Sequence, residues 1–214
     1  MMNPGSNELI DQLVDDLAPV RPIRTIHGIL LTVSAVLVTL LLVEWFEGLR
    51  REIFSGSASD FFFITNGMLA VLGSAAALAV VRMVNPRVGN GHDGARWSAV
   101  MLALLPLTAV LMLGLGGLRS EFQDNQAGLA CLAAGTGFGL VTAGTLVFWL
   151  RWGAPVSLNA AGLLTGIAAG AIGSFASGIA CPLETVGHLG LWHVAPVVVS
   201  AIIGRLVIPP LVRW

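Results

Sequence analysis

Charged side chains are scarce in this protein. Only 11% of its 214 residues are charged and 56% are apolar, whereas a typical soluble domain carries roughly 25% charged residues. A chain so poor in charge cannot cover a folded surface with polar groups, so the composition predicts an integral membrane protein. Lysine is absent, and all positive side-chain charge comes from eleven arginines. The net charge of −1 gives no reason to propose direct nucleic-acid binding.

The beginning of the chain lacks the pattern of a secretory signal peptide. Such a peptide has a basic stretch followed quickly by an apolar one, but here the first twenty residues carry Glu8, Asp11, Asp15 and Asp16. The first apolar run begins only near Gly28. We therefore expect the acidic segment to remain in the mature protein.

Patterns typical of catalysis or transport are also missing. The sequence contains no Ser/His/Asp order, no phosphate-binding loop and no pair of intramembrane carboxylates, so it gives no support for an enzyme. Transporters commonly place a charged residue near the middle of the bilayer. Glu44, Glu47 and Arg205 lie too close to the ends of apolar runs for that role.

Long apolar runs are abundant. A run of about 20 apolar residues can cross a bilayer, and the sequence predicts an all-α protein with six such spans: Gly28–Trp45, Phe61–Val84, Trp97–Leu118, Gly128–Leu150, Ser157–Cys181 and Leu191–Leu211. Pro106 and Pro196 lie inside spans, where we expect kinks. Residues 1–27 form a separate cytoplasmic segment in this interpretation, and residues 28–214 form the transmembrane domain.

Arginine distribution predicts the orientation. Loops enriched in Lys or Arg face the cytoplasm, and one side carries eight arginines: Arg21, Arg24, Arg82, Arg87, Arg96, Arg151, Arg205 and Arg213. The other side carries three: Arg50, Arg51 and Arg119. Both termini should therefore be cytoplasmic. The six tryptophans all fall at or just beyond span ends, as expected for an aromatic belt.

Residues Glu8 to Leu17 have the pattern of a short amphipathic helix. Apolar residues form one stripe, and acidic residues occupy much of the rest; the apolar set is Leu9, Ile10, Leu13, Val14 and Leu17. Helices that lie on a bilayer usually present Lys or Arg to anionic lipid, and this polar face is acidic. A protein partner that accepts the helix in a groove is favoured, and packing against the protein's own loops is the alternative.

Small residues are aligned on the fourth and fifth spans. Cys131, Gly135 and Gly139 recur every four residues on the fourth span, and the fifth carries the series Gly162, Gly166, Gly170, Ser174 and Cys181. Small residues at this spacing let transmembrane helices approach closely. Because a short turn joins the two spans, we expect an antiparallel pair with both cysteines at a similar depth near the extracytoplasmic face.

The segment Ala180–His193, ACPLETVGHLGLWH, concentrates the ligand-type side chains of the second half of the chain. Three interpretations remain open for Cys131 and Cys181: inert buried thiols, a disulfide on the oxidising side of the membrane, or a thiol sensor or metal site assisted by Glu184, His188 and His193.

The spacing of the two histidines limits the metal interpretation. His188 and His193 would diverge by roughly 140° on one helix, so the interpretation expects the segment Pro182–Gly190 to be non-helical. The sequence alone assigns no cofactor. Thiolate and imidazole ligands suit soft or borderline ions such as Zn, Cd or Cu.

Two stretches together resemble a known family. LIDQLVDDLAPVRPIR (Leu9–Arg24) and CPLETVGHLGLWH (Cys181–His193) resemble the NrsF-like family of bacterial membrane anti-sigma factors. The resemblance implies a six-span inner-membrane protein whose N-terminal segment holds an extracytoplasmic-function (ECF) sigma factor. It also implies that a change at Cys131 and Cys181, through metal or oxidative stress, releases that partner. The contact residues would be the apolar stripe together with Asp11, Asp15, Asp16, Arg21 and Arg24.

Two other functions are compatible with the same residues. A small membrane transporter or metal-handling protein would use Cys131 and Cys181 to bind its cargo, and the N-terminal helix would be structural. A structural subunit of a larger membrane complex would use the glycine faces to dock other helices. Deleting residues 1–20 separates the transporter or metal-handling protein from the regulator, because only the regulator needs the N-terminal segment.

Overall fold

The protein is described here by a computed structural model that covers residues 4–15, 23–50, 53, 56, 58–85, 93–114 and 125–213. The regular elements in these ranges are helices: α1 Pro4–Asp15, α2 Thr25–Phe46, α3 Asp60–Met83, α4 Asp93–Gly114, α5 Asn125–Leu150, α6 Leu158–Ala180, α7 Val186–Trp192 and α8 Ala195–Val212. The all-α class predicted from composition is confirmed.

Five of these segments are long and apolar enough to cross a membrane. They are α2, α3, α5, α6 and the stretch Val186–Val212, which contains α7 and α8. A helix, α4, also occupies the third predicted span, but its described apolar part, Ala95–Leu104, is shorter than a span. The helices thus fall where the apolar runs predicted them, and the count of six spans stays a prediction.

The last predicted span is not one continuous helix. The chain leaves the helical pattern at His193 and Val194, between α7 and α8. Pro196 lies in the first turn of α8, where a residue without an N–H is tolerated because that position has no intrahelical acceptor. The proline therefore begins a new helix instead of kinking an existing one.

Helix α6 is the centre of the bundle. It packs against α8, α5 and α3, and most of its residues are buried. Its sequence is largely Gly and Ala, so neighbouring backbones can approach it from several directions at once. Because α6 contacts these three helices, it can hold side chains from those helices in fixed positions relative to one another.

The predicted glycine faces lie at two different interfaces. Gly139 of α5 faces α6, where a Cβ would lie 2.5 Å from the Ala169 carbonyl oxygen, and Gly135 faces both Pro196 of α8 and Ser174 of α6. The row Gly162, Gly166 and Gly170 faces α8 instead. The α5 contact uses Ala169 and Gly173 on an adjacent face of α6.

Tryptophan at the ends of spans does not always face lipid. Trp45 is 84% exposed, but Trp149 is 1% exposed and donates its indole N–H to the Val81 carbonyl at 3.2 Å. Gly28 of α2 makes room for this ring. The aromatic-belt interpretation is therefore wrong for Trp149, because the indole is satisfied inside the bundle.

The bundle has two distinct ends. Gly28, Val81 and Trp149 meet at one end, where the chain enters α2. The other end, called the thiol end below, is where α5 begins, α6 ends and α2 finishes; it contains Cys131, Cys181 and Arg50. Since α6 has 23 residues, about 34 Å separates the two ends at 1.5 Å per residue.

Candidate functional site

The segment after α6 folds into a tight return. Cys181 is the C-cap of α6 and has extended backbone angles (φ −68°, ψ 124°), and the following Pro182 cannot continue the helix. Thr185 then caps α7, accepting a hydrogen bond from the His188 backbone N–H at 3.3 Å. This return brings the His188 ring back over Cys181, with Nε2 3.5 Å from Sγ.

The two thiols meet at the thiol end. Cys131 lies in the second turn of α5, and its Sγ is 3.6 Å from Sγ of Cys181. Both cysteines are free thiols. Cys181 is buried and Cys131 is partly exposed, so the pair sits just below the surface of the bundle.

His193 completes a group of four. Its ring lies 5.5 Å from that of His188, at 64°, and one ligand atom from each of Cys131, Cys181, His188 and His193 lies within 4.8 Å of the others. The expectation that the histidines converge only on non-helical backbone is wrong for α7, which is helical from Val186 to Trp192. They converge because His193 is the residue that follows that helix, in the turn before α8.

The backbone of His193 accepts a hydrogen bond, whereas its buried ring makes none among the described residues. Ser174 of α6 donates a hydrogen bond to the His193 carbonyl at 2.6 Å. The side chain is 1% exposed, and neither Nδ1 nor Nε2 has a hydrogen-bond partner in the described part of the chain. A buried polar group without a hydrogen-bond partner destabilises the folded protein, so the position of this ring calls for a ligand or a function.

Glu184 is not part of the four-residue group. Its carboxylate pairs with the Arg50 guanidinium at 2.8 Å and accepts a hydrogen bond from the Ser59 backbone N–H at 2.7 Å. Burial alone would raise the pKa of Glu184, but the Ser59 hydrogen bonds and Arg50 outweigh it and hold that pKa below its ordinary value.

Arg50 also belongs to the thiol end, although its position in the sequence indicated only the orientation of the protein in the membrane. It donates a second hydrogen bond, at 2.8 Å, to the carbonyl oxygen of Cys181, and its guanidinium lies 5.7 Å from the centre of the Phe62 ring. Arg50 therefore ties the end of α2 to the backbone of a thiol residue. The available signal was Glu184, a carboxylate expected on the same side of the membrane and in need of a partner.

The predicted partner-binding residues precede α2 in the sequence. Leu13 and Val14 of α1 are 60% and 58% exposed, and Asp11 and Asp15 are exposed as well. Arg24 is exposed at the N-cap of α2. The side chains of Leu9 and Ile10, together with Asp16, Leu17 and Arg21, lie outside the described residues.

Apolar helices long enough to cross a membrane, with a thiol–imidazole group at one end of their bundle, define a membrane protein with a candidate sensing or binding site. The family model described as NrsF, negative regulator of sigma F, matches residues 13–214. The match covers most of the chain, and the chain therefore belongs to this family, as the resemblance predicted. No curated protein and no solved structure matches it.

Proposed function

We propose that this protein is a membrane-bound anti-sigma factor that sequesters an ECF sigma factor through its N-terminal segment. The observation that carries the proposal is an amphipathic acidic helix whose described apolar residues, Leu13 and Val14, are exposed in a member of a family of negative regulators of a sigma factor. Exposed apolar pairs beside acidic residues suit the helix-in-groove mode of protein recognition. The inner membrane, with both termini in the cytoplasm, is the location that this function requires.

The second part of the proposal concerns release of the partner. A change at Cys131 and Cys181, by metal binding or by oxidation, would alter the packing of α5 against α6 and free the sigma factor. The support is the 3.6 Å approach of the two thiols on two helices that pack tightly together. Coupling across the membrane needs an element with two arrangements, and the α5–α6 pair is our candidate.

Capture of the sigma factor tests the first part. Full-length protein co-expressed with candidate sigma factors should retain one of them, and a protein lacking residues 1–20 should retain none. Retention by both would show that sequestration uses another part of the protein and would contradict the role of the N-terminal segment. Retention by neither would contradict sequestration and favour the metal-handling or transport alternative.

A double substitution tests the helix itself. Leu13→Asp with Val14→Asp should reduce capture by at least about tenfold, because it removes an apolar anchor of the size that dominates interfaces. Gln12→Asp is the matched control, since it adds acidic charge to the same helix and leaves the apolar pair intact. Capture that survives the double change would show that α1 is not the contact.

Induction in cells tests release. A reporter of the sigma factor should respond to heavy metal or oxidant with the wild-type protein and should lose that response with Cys131→Ser and Cys181→Ser. Capture in unstressed cells should persist in both variants. An unchanged response in the variants would exclude the cysteines as the sensor.

A further inference from the structure

We propose that Cys131, Cys181, His188 and His193 form a closed four-ligand site for one soft or borderline divalent cation of the zinc and cadmium type. The site itself does not depend on sigma binding. Only its regulatory consequence rests on the proposed function.

The distances between ligand atoms fit tetrahedral coordination. Bonds of about 2.3 Å to sulfur and 2.0–2.1 Å to nitrogen, at tetrahedral angles, place neighbouring ligand atoms about 3.4–3.8 Å apart. The two Sγ atoms are 3.6 Å apart and the Cys181 Sγ lies 3.5 Å from His188 Nε2. The whole group spans no more than 4.8 Å, so closing around a cation needs a shift of about 1 Å.

The environment of His193 favours a cation site over a simple network of hydrogen-bonded thiols. Thiol–thiol and thiol–imidazole hydrogen bonds account for Cys131, Cys181 and His188 without any ligand. They leave the His193 ring, 1% exposed and adjacent to the group, with both nitrogens unpartnered among the described residues. A cation at the centre of the group would satisfy one of those nitrogens and remove a large part of the burial penalty.

The ligand set selects the kind of cation. Two thiolates and two imidazoles favour soft or borderline ions and disfavour hard oxygen-seeking ions such as Mg²⁺ and Ca²⁺. Four protein ligands leave no open position for substrate, as in structural zinc sites. Glu184 does not compete for the cation, because Arg50 and Ser59 already hold its carboxylate.

The ligands come from four pieces of the chain that meet at the thiol end. Cys131 belongs to α5, Cys181 ends α6, His188 lies on α7 and His193 stands in the turn before α8. A bound cation would therefore join α5 to the α7–α8 turn through the end of α6. In the proposed regulator, occupancy of this site would be the change that alters the α5–α6 packing.

The wild-type protein alone can test the ligand set. Reduced full-length protein, purified in detergent and loaded with Zn²⁺, should bind one ion per chain. X-ray absorption should give two sulfur neighbours at about 2.3 Å and two nitrogen neighbours at about 2.0 Å. No binding, half an ion per chain, or a first shell with four sulfurs or only oxygen and nitrogen would each overturn the proposal.

Substitutions then test the histidines. His188→Asn and His193→Asn should each weaken Co²⁺ binding by at least about tenfold, since even residues that only support metal ligands commonly cost that much. His27→Asn is the control, an exposed histidine at the other end of the bundle. Unchanged Co²⁺ affinity in both variants would contradict the site, and if a variant fails to fold, the wild-type absorption data decide.

Sigma capture separates the two proposals when it is measured on the metal-free form of the same preparations, because in the proposed regulator occupancy of the site would itself release the partner. Zinc binding by two thiolates and two imidazoles in a protein whose metal-free form captures no sigma factor would support the site and contradict the proposed function. Capture of a sigma factor by a protein that binds no zinc would support the proposed function and contradict the cation site.

Discussion

At the scale of single residues, the ion pair between Arg50 and Glu184 has a clear effect on the thiol end. The two side chains are 13% and 21% exposed, so solvent screens them only in part. Arg50 also holds the Cys181 carbonyl at 2.8 Å. The pair thus positions the backbone of a proposed cation ligand from a loop beyond α2.

The pH dependence of stability should report this pair. The pKa of Glu184 is lower in the folded protein than its ordinary value, so its contribution is fully present above the ordinary pKa of about 4.3 and is lost as pH falls through the folded pKa. Glu184→Gln should cost about 1 kcal/mol at pH 7 and flatten the acid side of the stability profile. Thermal unfolding in detergent between pH 3 and pH 7 measures it.

Glu44→Gln provides the comparison, because this carboxylate is exposed on α2. It should leave the midpoint of unfolding and its acid dependence unchanged. A Glu184→Gln profile that falls with acid as steeply as the wild type would show that the pair does not stabilise the fold.

At the scale of elements, two glycines at similar heights in the α5–α6 pair should respond in opposite ways to alanine. A Cβ on Gly173 would lie 2.6 Å from the Gly139 backbone nitrogen, whereas a Cβ on Gly137 meets nothing within 4 Å. Gly173→Ala should therefore destabilise the protein by about 1–3 kcal/mol through overpacking. Gly137→Ala should be neutral or stabilising by up to about 1 kcal/mol, because alanine is the better helix former.

Denaturation in mixed detergent measures both variants under the same conditions. Equal effects of the two substitutions would mean that the close approach of α5 and α6 does not limit side-chain size at Gly173.

The cap of α7 should matter for the cation and not only for stability. Thr185 accepts a hydrogen bond from the His188 backbone at 3.3 Å, and Thr185→Ala should cost about 1 kcal/mol and weaken Co²⁺ binding severalfold. Thr185→Ser should restore binding. Ser157→Ala removes the equivalent cap of α6 at the opposite end, where Ser157 accepts from Ala160 at 3.3 Å.

Titration of these three variants with Co²⁺ compares the two caps. Binding weakened as much by Ser157→Ala as by Thr185→Ala would indicate a general loss of stability and not a loss of His188 positioning.

At the scale of the whole molecule, the two ends of the bundle should lie on opposite sides of the membrane. Pro182 is exposed at the thiol end and Val156 is exposed at the other. In a Cys131→Ser and Cys181→Ser background, Pro182→Cys should react with a membrane-impermeant maleimide in intact cells made permeable only at the outer membrane. Val156→Cys should react only after the inner membrane is opened.

The reverse labelling pattern would contradict the orientation inferred from arginine. It would also place the proposed cation site on the same side of the membrane as the sigma factor, where a signal from outside could not reach it directly.

The sequence by itself determined where the long helices lie, their order and the residues with ligand chemistry, although not the break inside the last span. Apolar runs of span length admit only helices or closed barrels in a bilayer, because every backbone polar group must be satisfied internally, and this constraint is local. The amphipathic pattern of α1 and the small-residue spacing of α5 and α6 are likewise readable one helix at a time. The NrsF resemblance was also visible in the sequence alone, in two short motifs, and the family match across residues 13–214 confirmed it.

Only the tertiary structure decided which groups meet. His193 lies beside His188 because α7 ends one residue before it. The Gly162–Gly166–Gly170 row of α6 faces α8 and not α5, the preceding helix in the sequence. Glu184 pairs with Arg50 and does not join the thiols. Trp149 turns inward because a glycine on another helix leaves it space. Each outcome depends on the relative rotation of packed helices or on a break in one of them. Such rotations are set by side-chain fit between elements distant in sequence, and no pattern along a single helix specifies them.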